Sequence, residues 1–313
     1  MAAIMTNALV KDYGKVKAVD SLNLAVAEGA IFGFLGPNGA GKTTTIRMLT
    51  GMARPTSGSA KVAGVNLGSD GQVRARIGYL PEEPAFYSWM TPLEFLDHVG
   101  RLFGMSSSDR KVRSKELLAQ VGLTEAAKRR IGGFSRGMRQ RMGLAQALIN
   151  RPDVLFLDEP VSALDPGGRK EVLDMIQGLR GQCTVFMSTH ILADVERVCD
   201  TVGIIDHGRL IIEANQAELL KRYTVPAFII ECEQDQETRF FDWVKSLRSL
   251  GWVSFVQLDG LTARVVVRDM AIARTALLAE AAAARLALRR FEIVTPSLED
   301  IFLQLVSAER KPE

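Results

Sequence analysis

Short, uniformly apolar runs alternate with helical patterns along the first part of the chain. Ala30–Leu35 (AIFGFL), Val154–Leu157 (VLFL) and Thr184–Ser188 (TVFMS) show no inside-outside alternation. Uniform runs of this length predict strands buried on both faces. A helical pattern from Thr43 to Leu49 follows the first run after a Gly-rich turn. Strands separated by helices predict a parallel sheet covered on both sides. Residues 84–140 read differently. They are rich in helix formers (PLEFLDHVGRLF, KVRSKELLAQVGL) without a convincing strand, which predicts an inserted helical lobe.

The pattern restarts after Leu219–Pro226 (LLKRYTVP). Ala227–Glu233 is strand-like and Glu237–Leu250 is amphipathic at helical spacing. Trp252–Leu258 and Leu261–Arg268 flank the turn Asp259-Gly260, a hairpin signal. Ala271–Leu286 is an Ala/Leu-rich helix and Arg289–Val294 a strand. Pro296-Ser297 opens a last helix, with Asp300 completing a capping box. The order β-α-β-β-α-β predicts a small α+β, ferredoxin-like domain. The expected division is therefore a domain over 1–218, a linker over 219–226 and an accessory domain over 227–313.

Composition narrows the function classes. The length of 313 residues fits two domains or one large one, and 47% hydrophobic with 24% charged residues leave material for a real core and exclude a disordered chain. Lys and Arg exceed Asp and Glu by only 39 to 36, too little to argue for nucleic acid as a partner. From Pro226 onward the net charge is −2, against +5 before it, so phosphate chemistry is expected in the first part. Cys183, Cys199 and Cys232 form no C-x-x-C pair and fit buried thiols in a reducing compartment. No apolar stretch approaches the ~20 residues needed to span a bilayer, and the N-terminus lacks a signal-peptide pattern. A cytosolic chain is expected, with any membrane role exercised through a partner.

Two motifs carry chemistry. Gly36-Pro37-Asn38-Gly39-Ala40-Gly41-Lys42-Thr43 fits G-x-x-x-x-G-K-[ST] between a strand and a helix. Glycines let successive N–H groups curl toward phosphates, and the helix N-terminus adds positive potential. Lys42 would reach the β- and γ-phosphates and Thr43 would ligate Mg²⁺. At the end of Val154–Leu157, Asp158 would hold Mg²⁺ and Glu159 would polarise an attacking water.

On these motifs, and on four more in the same order, the chain resembles the nucleotide-binding subunit of an ABC transporter. Phe134-Ser135-Arg136-Gly137-Met138, followed by Arg139-Gln140-Arg141, resembles the family signature. Ser162-Ala163-Leu164-Asp165 resembles the D-loop, and His190 in Ser188-Thr189-His190 the switch histidine. Tyr13 sits where the family stacks an aromatic on adenine. The resemblance implies a P-loop NTPase (RecA-like) α/β core with antiparallel β and helical subdomains, binding ATP and Mg²⁺. It assigns catalysis to Lys42, Glu159 and His190, and metal contacts to Thr43, Glu82 and Asp158. Nucleotide contacts would come from Tyr13, Gly36, Pro37, Asn38, Gly39, Ala40, Gly41, Lys42, Thr43, Thr44, Ser135, Gly137 and Asp165. It further implies an ATP-sandwich homodimer in which Ser135 and Gly137 face the γ-phosphate bound by the other copy. The implied partner is an integral membrane permease at the cytoplasmic face of a bacterial plasma membrane. A soluble ABC ATPase acting on a non-transport partner is the alternative.

Two positions depart from the family pattern. After Ile77-Gly78-Tyr79-Leu80-Pro81 the usual glutamine is Glu82, which accepts but cannot donate as an amide does. Arg136 replaces the usual glycine; contact with a nucleotide and exposure to solvent are both open. Glu82, the signature and the tail Pro296–Phe302 resemble the branch that exports drugs, polysaccharides or lipids. The aromatic stretch Pro84–Met90 is expected either to receive a cytoplasmic helix of the permease or to pack within the lobe. His98, His207 and the run Lys128-Arg129-Arg130 are expected at the surface, and Met48, Met52 and Met142 in the core.

Overall fold

The computed structural model describes residues 1–68, 72–162, 164–222 and 227–294. The tail from 295 and Ala163 lie outside the described residues, as do the capping box at Ser297 and Asp300 and part of the linker. The chain divides into two compact units, Met1–Gln216 and Ala217–Glu313.

The first unit is built on a six-stranded sheet. Its order is Arg209–Asn215, Thr201–Asp206, Ile31–Leu35, Thr184–Thr189, Val154–Asp158, Ile77–Leu80. All neighbours are parallel except the first pair, an antiparallel hairpin at the edge. The three apolar runs are its central strands, buried at every position because both faces are covered. Phe32, Phe34, Phe156 and Phe186 stack at 5.2–6.4 Å between ring centres in the middle of this core.

A second, antiparallel sheet takes the order Lys17–Ala27, Ala2–Asp12, Ser57–Val62, Val65–Asn66. Its buried residues Ile4, Leu22, Leu24 and Val62 share a core with Ile46 and Leu49 of the helix Lys42–Leu49. Residues 84–140 carry helices and no strand: Pro92–Leu102, Ser107–Gln120 and the start of Arg136–Ala147. The first begins in a capping box, with Glu94 N–H donating to Thr91 Oγ1 and Thr91 N–H to Glu94 Oε2.

The second unit shows β-α-β-β-α-β in order, with the helices Glu237–Leu247 and Met270–Ala283. Its sheet runs Val253–Asp259, Thr262–Val267, Ala227–Cys232, Leu288–Val294, antiparallel throughout. The first and third strands are thus central, the split arrangement of a ferredoxin-like domain. Phe228, Ile230, Phe240, Trp243 and Leu277 fill its own core.

Two surface and core expectations need correction. Met52 is 53% exposed, because it lies past the helix C-cap Thr50 in a turn off the buried face. His98 is half-buried, its ring edge-on to Tyr87 at 6.0 Å. Met48 and Met142 are buried, Lys128, Arg129 and Arg130 are exposed, and all three cysteines are buried thiols.

Candidate active site

Parallel strands deliver their C-terminal ends to one edge of the sheet, and the chemistry collects there. Leu35 pairs with Thr189, and Asp158 with Ser188, so the phosphate loop, the acidic pair and His190 emerge side by side. Gly36 and Gly41 have no substitute at this junction. A Cβ on Gly36 would stand 2.3 Å from Ile205 O, and one on Gly41 2.3 Å from Ala18 O. Gly41 also caps the helix at φ 106°, in the left-handed region.

Lys42 is buried and donates to Gly36 O at 2.7 Å and Pro37 O at 3.2 Å. Its Nζ also stands 3.3 Å from Glu159 Oε1. The other Glu159 oxygen, Oε2, is 3.0 Å from His190 Nδ1. Glu159 takes φ 48°, a left-handed conformation that costs a non-glycine residue about 1 kcal/mol or more. It is held there because its N–H donates to Ser188 O at 3.2 Å and Ser188 Oγ at 3.1 Å. In that conformation the carboxylate lies between Lys42 and His190.

Asp158 Oδ1 accepts from Ser188 Oγ at 2.7 Å and Thr43 Oγ1 at 3.1 Å. Burial raises its carboxyl above the ordinary value, against the two hydroxyl donors. The same low-dielectric surroundings push Tyr79 up to about 12, with Asp158 adding repulsion.

Lys42, Thr43, Thr44, Asn38, Gly39, Gly41, Glu82, Glu159 and His190 line a single cavity of about 320 Å³. Val16, Lys17, Ala18, His207 and Gly208 complete it. Of these, the sequence singled out only His207, and only as a surface residue. The turn at His207-Gly208 is brought in by Gly208 N–H donating to Ala40 O, and by Asp20 N–H donating to Gly208 O. No local pattern announces such a long-range approach. Tyr13 is 57% exposed with Lys11 Nζ 4.8 Å over its ring, and does not line this cavity.

Ser135, Gly137 and Asp165 lie elsewhere. With Arg136, Leu164 and Gly168 they line a separate cavity of about 410 Å³. Ser135 is the N-cap of Arg136–Ala147, its hydroxyl accepting from Met138 N–H at 3.3 Å. Asp165 precedes the helix Pro166–Gln177 without capping it through its side chain. The Arg136 guanidinium stands 3.7 Å from Glu83, and both are largely exposed.

Residues 19–162 match the ABC transporter family, and 215–306 match the C-terminal domain of DrrA1-3-like ATP-binding proteins. An uncharacterized ABC transporter ATP-binding protein of Bacillus subtilis (strain 168), YxlF, is 43% identical over 96% of this chain and 98% of its own length. The chain belongs to the ABC transporter ATP-binding proteins. The linearmycin resistance ATP-binding protein LnrL of Bacillus subtilis is 35% identical over 94% of this chain and 95% of its own. The daunorubicin/doxorubicin resistance ATP-binding protein DrrA of Streptomyces peucetius is 35% identical over 97% and 92%. A solved ATP-binding subunit of an ABC transporter superposes with a TM-score of 0.64 at 27% identity, covering 71% of this chain and 93% of that one. The fold is thus a P-loop NTPase cassette, and the chain is an ATPase whose hydrolysis powers transport. Such subunits dimerise and work with membrane permeases. Among the described residues no helix is long and apolar enough to cross a membrane.

Proposed function

We propose that two copies of this chain enclose two ATP molecules, each between the phosphate loop of one copy and the Ser135 helix tip of the other. The observation that supports this is the separation of the two cavities within one chain. Lys42, Glu159 and His190 line one, and Ser135, Gly137 and Asp165 line the other. Each chain then carries two unlike half-sites, which a two-fold pair completes head to tail.

The donor set fits Mg²⁺. Thr43 Oγ1 and buried Asp158 Oδ1 are hard oxygens 3.1 Å apart, and no cluster of three His, Cys, Asp or Glu exists among the described residues. One carboxylate and one hydroxyl, completed by substrate phosphates, is how Mg²⁺ is commonly held. Thr43 and Asp158 would hold the ion, with Glu82 at the cavity wall, and it would neutralise phosphate charge. The phosphate loop and Lys42 bind and orient the triphosphate, with the lysine leaving Gly36 O and Glu159 for phosphate oxygens. Glu159, so released, accepts the proton of the attacking water. His190 keeps its Nδ1 on Glu159 and orients that carboxylate. Ser135 and Gly137 of the second copy exclude water from the outer face of the phosphate.

The cargo is proposed to be an antibiotic-like compound, moved outward by a permease that holds this chain at the cytoplasmic face of the membrane. The support is the similarity along nearly the full chain to linearmycin and daunorubicin/doxorubicin resistance proteins. Within Pro84–Met90, Phe86 packs edge-on against Phe95 at 5.2 Å, which is local packing of the lobe. Tyr87 and Trp89 remain 51% and 63% exposed, and they are the residues proposed to meet the permease.

A crosslink tests the sandwich. Asn38 and Arg136 are exposed and the native cysteines are buried. Asn38→Cys/Arg136→Cys with a short bis-maleimide is expected to give a two-chain product only with ATP and Mg²⁺. No such product, or one indifferent to ATP, contradicts the arrangement.

A further inference from the structure

The helix Leu192–Val198 begins directly after His190 and Ile191, and the helix Pro166–Gln177 directly after Asp165. An ion pair between half-buried Arg169 and buried Asp194 joins them. Arg169 Nε and Nη2 both reach Asp194 Oδ1, at 2.7 Å and 2.6 Å. The Asp194 side chain is 2% exposed, and its Oδ2 is buried without a hydrogen-bond partner among the described residues. A buried carboxylate satisfied on one oxygen is costly to keep, and Arg169 is its only ion-pair partner among the described residues.

The placement of the pair carries the inference. Asp194 lies four residues after His190, and Arg169 four after Asp165. Each end is one helical turn from a residue expected at a nucleotide site. Arg169 N–H donates to Asp165 O at 2.9 Å, and Asp194 N–H to Ile191 O at 3.2 Å. The two ends of the salt bridge therefore sit on the first turns that fix Asp165 and His190. His190 belongs to the chain's own phosphate cavity, whereas Asp165 belongs to the cavity offered to the second copy. Burial raises the Asp194 carboxyl, Arg169 lowers it, and Glu159 and His190 lie near enough to act on its charge. The same helices share a second pair, Arg197 Nη2 to Asp174 Oδ1 at 2.6 Å. That pair is 37% and 50% exposed, which supplies an internal control.

We infer that Arg169 and Asp194 are positioning residues, forming a strut that sets His190 of one half-site in register with Asp165 of the other. The inference rests on the two-copy site proposed above. The strut touches no nucleotide; it fixes the distance between two elements that do.

The test uses full-length chain with ATP and Mg²⁺. Asp194→Asn keeps the shape and removes the charge; Arg169→Gln removes the other partner. Each is expected to lower kcat about ten-fold with the KM for ATP within two-fold. The double variant is expected to be no slower than the slower single one, because both act through one contact. Arg197→Gln is expected to stay within two-fold of the parent in kcat. A folded Asp194→Asn chain with parental kcat overturns the strut, as do single effects that multiply in the double variant. An equal loss from Arg197→Gln overturns it too, since that would be helix packing alone. ATP-driven pairing of a Glu159→Gln chain is measured alongside. If that pairing persists while the strut variants behave as the parent, only the strut fails; if pairing is absent, the two-copy site itself fails.

Discussion

At the scale of the residue, Asp158 sets stability against chemistry. Its carboxyl is raised by burial in the folded chain. A raised carboxyl stabilises the fold below its unfolded pKa, and that contribution is lost as pH rises through the folded value. Near neutral pH the ionised Asp158 therefore opposes folding. Asp158→Asn keeps an oxygen for Ser188 and Thr43 but removes the buried charge. Its melting temperature at neutral pH is expected to rise by about 2–4 °C, as read by calorimetry. The excess over the parent should shrink as pH falls toward the carboxylate range. Turnover with Mg²⁺ should fall by at least ~100-fold. An unchanged melting temperature would refute the assignment of burial as the dominant influence. The phosphate loop and acidic pair were legible in the sequence because each is a contiguous run whose spacing is the chemistry. Val16–Ala18 and the cavity position of His207 were not, since hydrogen bonds between Ala40, Gly208 and Asp20 bring them in from distant parts of the chain.

At the scale of the element, the strand Ile77–Leu80 is clamped against the helix Arg136–Ala147. A Cβ on Gly78 would meet Ala147 O at 2.0 Å and Leu155 Cδ1 at 3.0 Å. Gly78→Ala is expected to destabilise by about 1–3 kcal/mol in denaturant titration, because backbone has to move. A neutral substitution would show that this junction has slack. The same junction leads through Pro81 to Glu82, so lowered turnover is expected with it. The central strands were readable as apolar runs because both faces are covered. The strands Ala2–Asp12 and Lys17–Ala27 were not placed from sequence. Their pairing is interrupted by register shifts near Leu9 and Lys11, and Ala8 and Ser21 take positive φ. Such bulges break the period of two on which strand reading depends. In the accessory unit the order of strands and helices from Ala227 to Val294 was legible, but the helix Gln216–Arg222 occupies the start of the stretch expected as linker, and register shifts at Glu231 and Val253 interrupt the period of two.

At the scale of the whole molecule, the first unit carries two separate cavities, read above as complementary half-sites, and ATP-binding subunits of this family work with a membrane permease. Trp89→Ala is expected to abolish co-purification with the permease while basal ATP hydrolysis stays within two-fold, because Trp89 lies outside the phosphate cavity. Retained co-purification would move the docking surface elsewhere. The two-copy site makes a stricter demand. Glu159→Gln removes the proposed proton acceptor and the anionic partner of Lys42 while leaving the phosphate loop whole. Bound ATP is then not consumed, so the closed pair should accumulate. Light scattering on that variant with saturating ATP and Mg²⁺ is expected to give twice the chain mass, falling to one chain with ADP. A single-chain mass in ATP, with binding confirmed, would contradict a nucleotide site shared between copies.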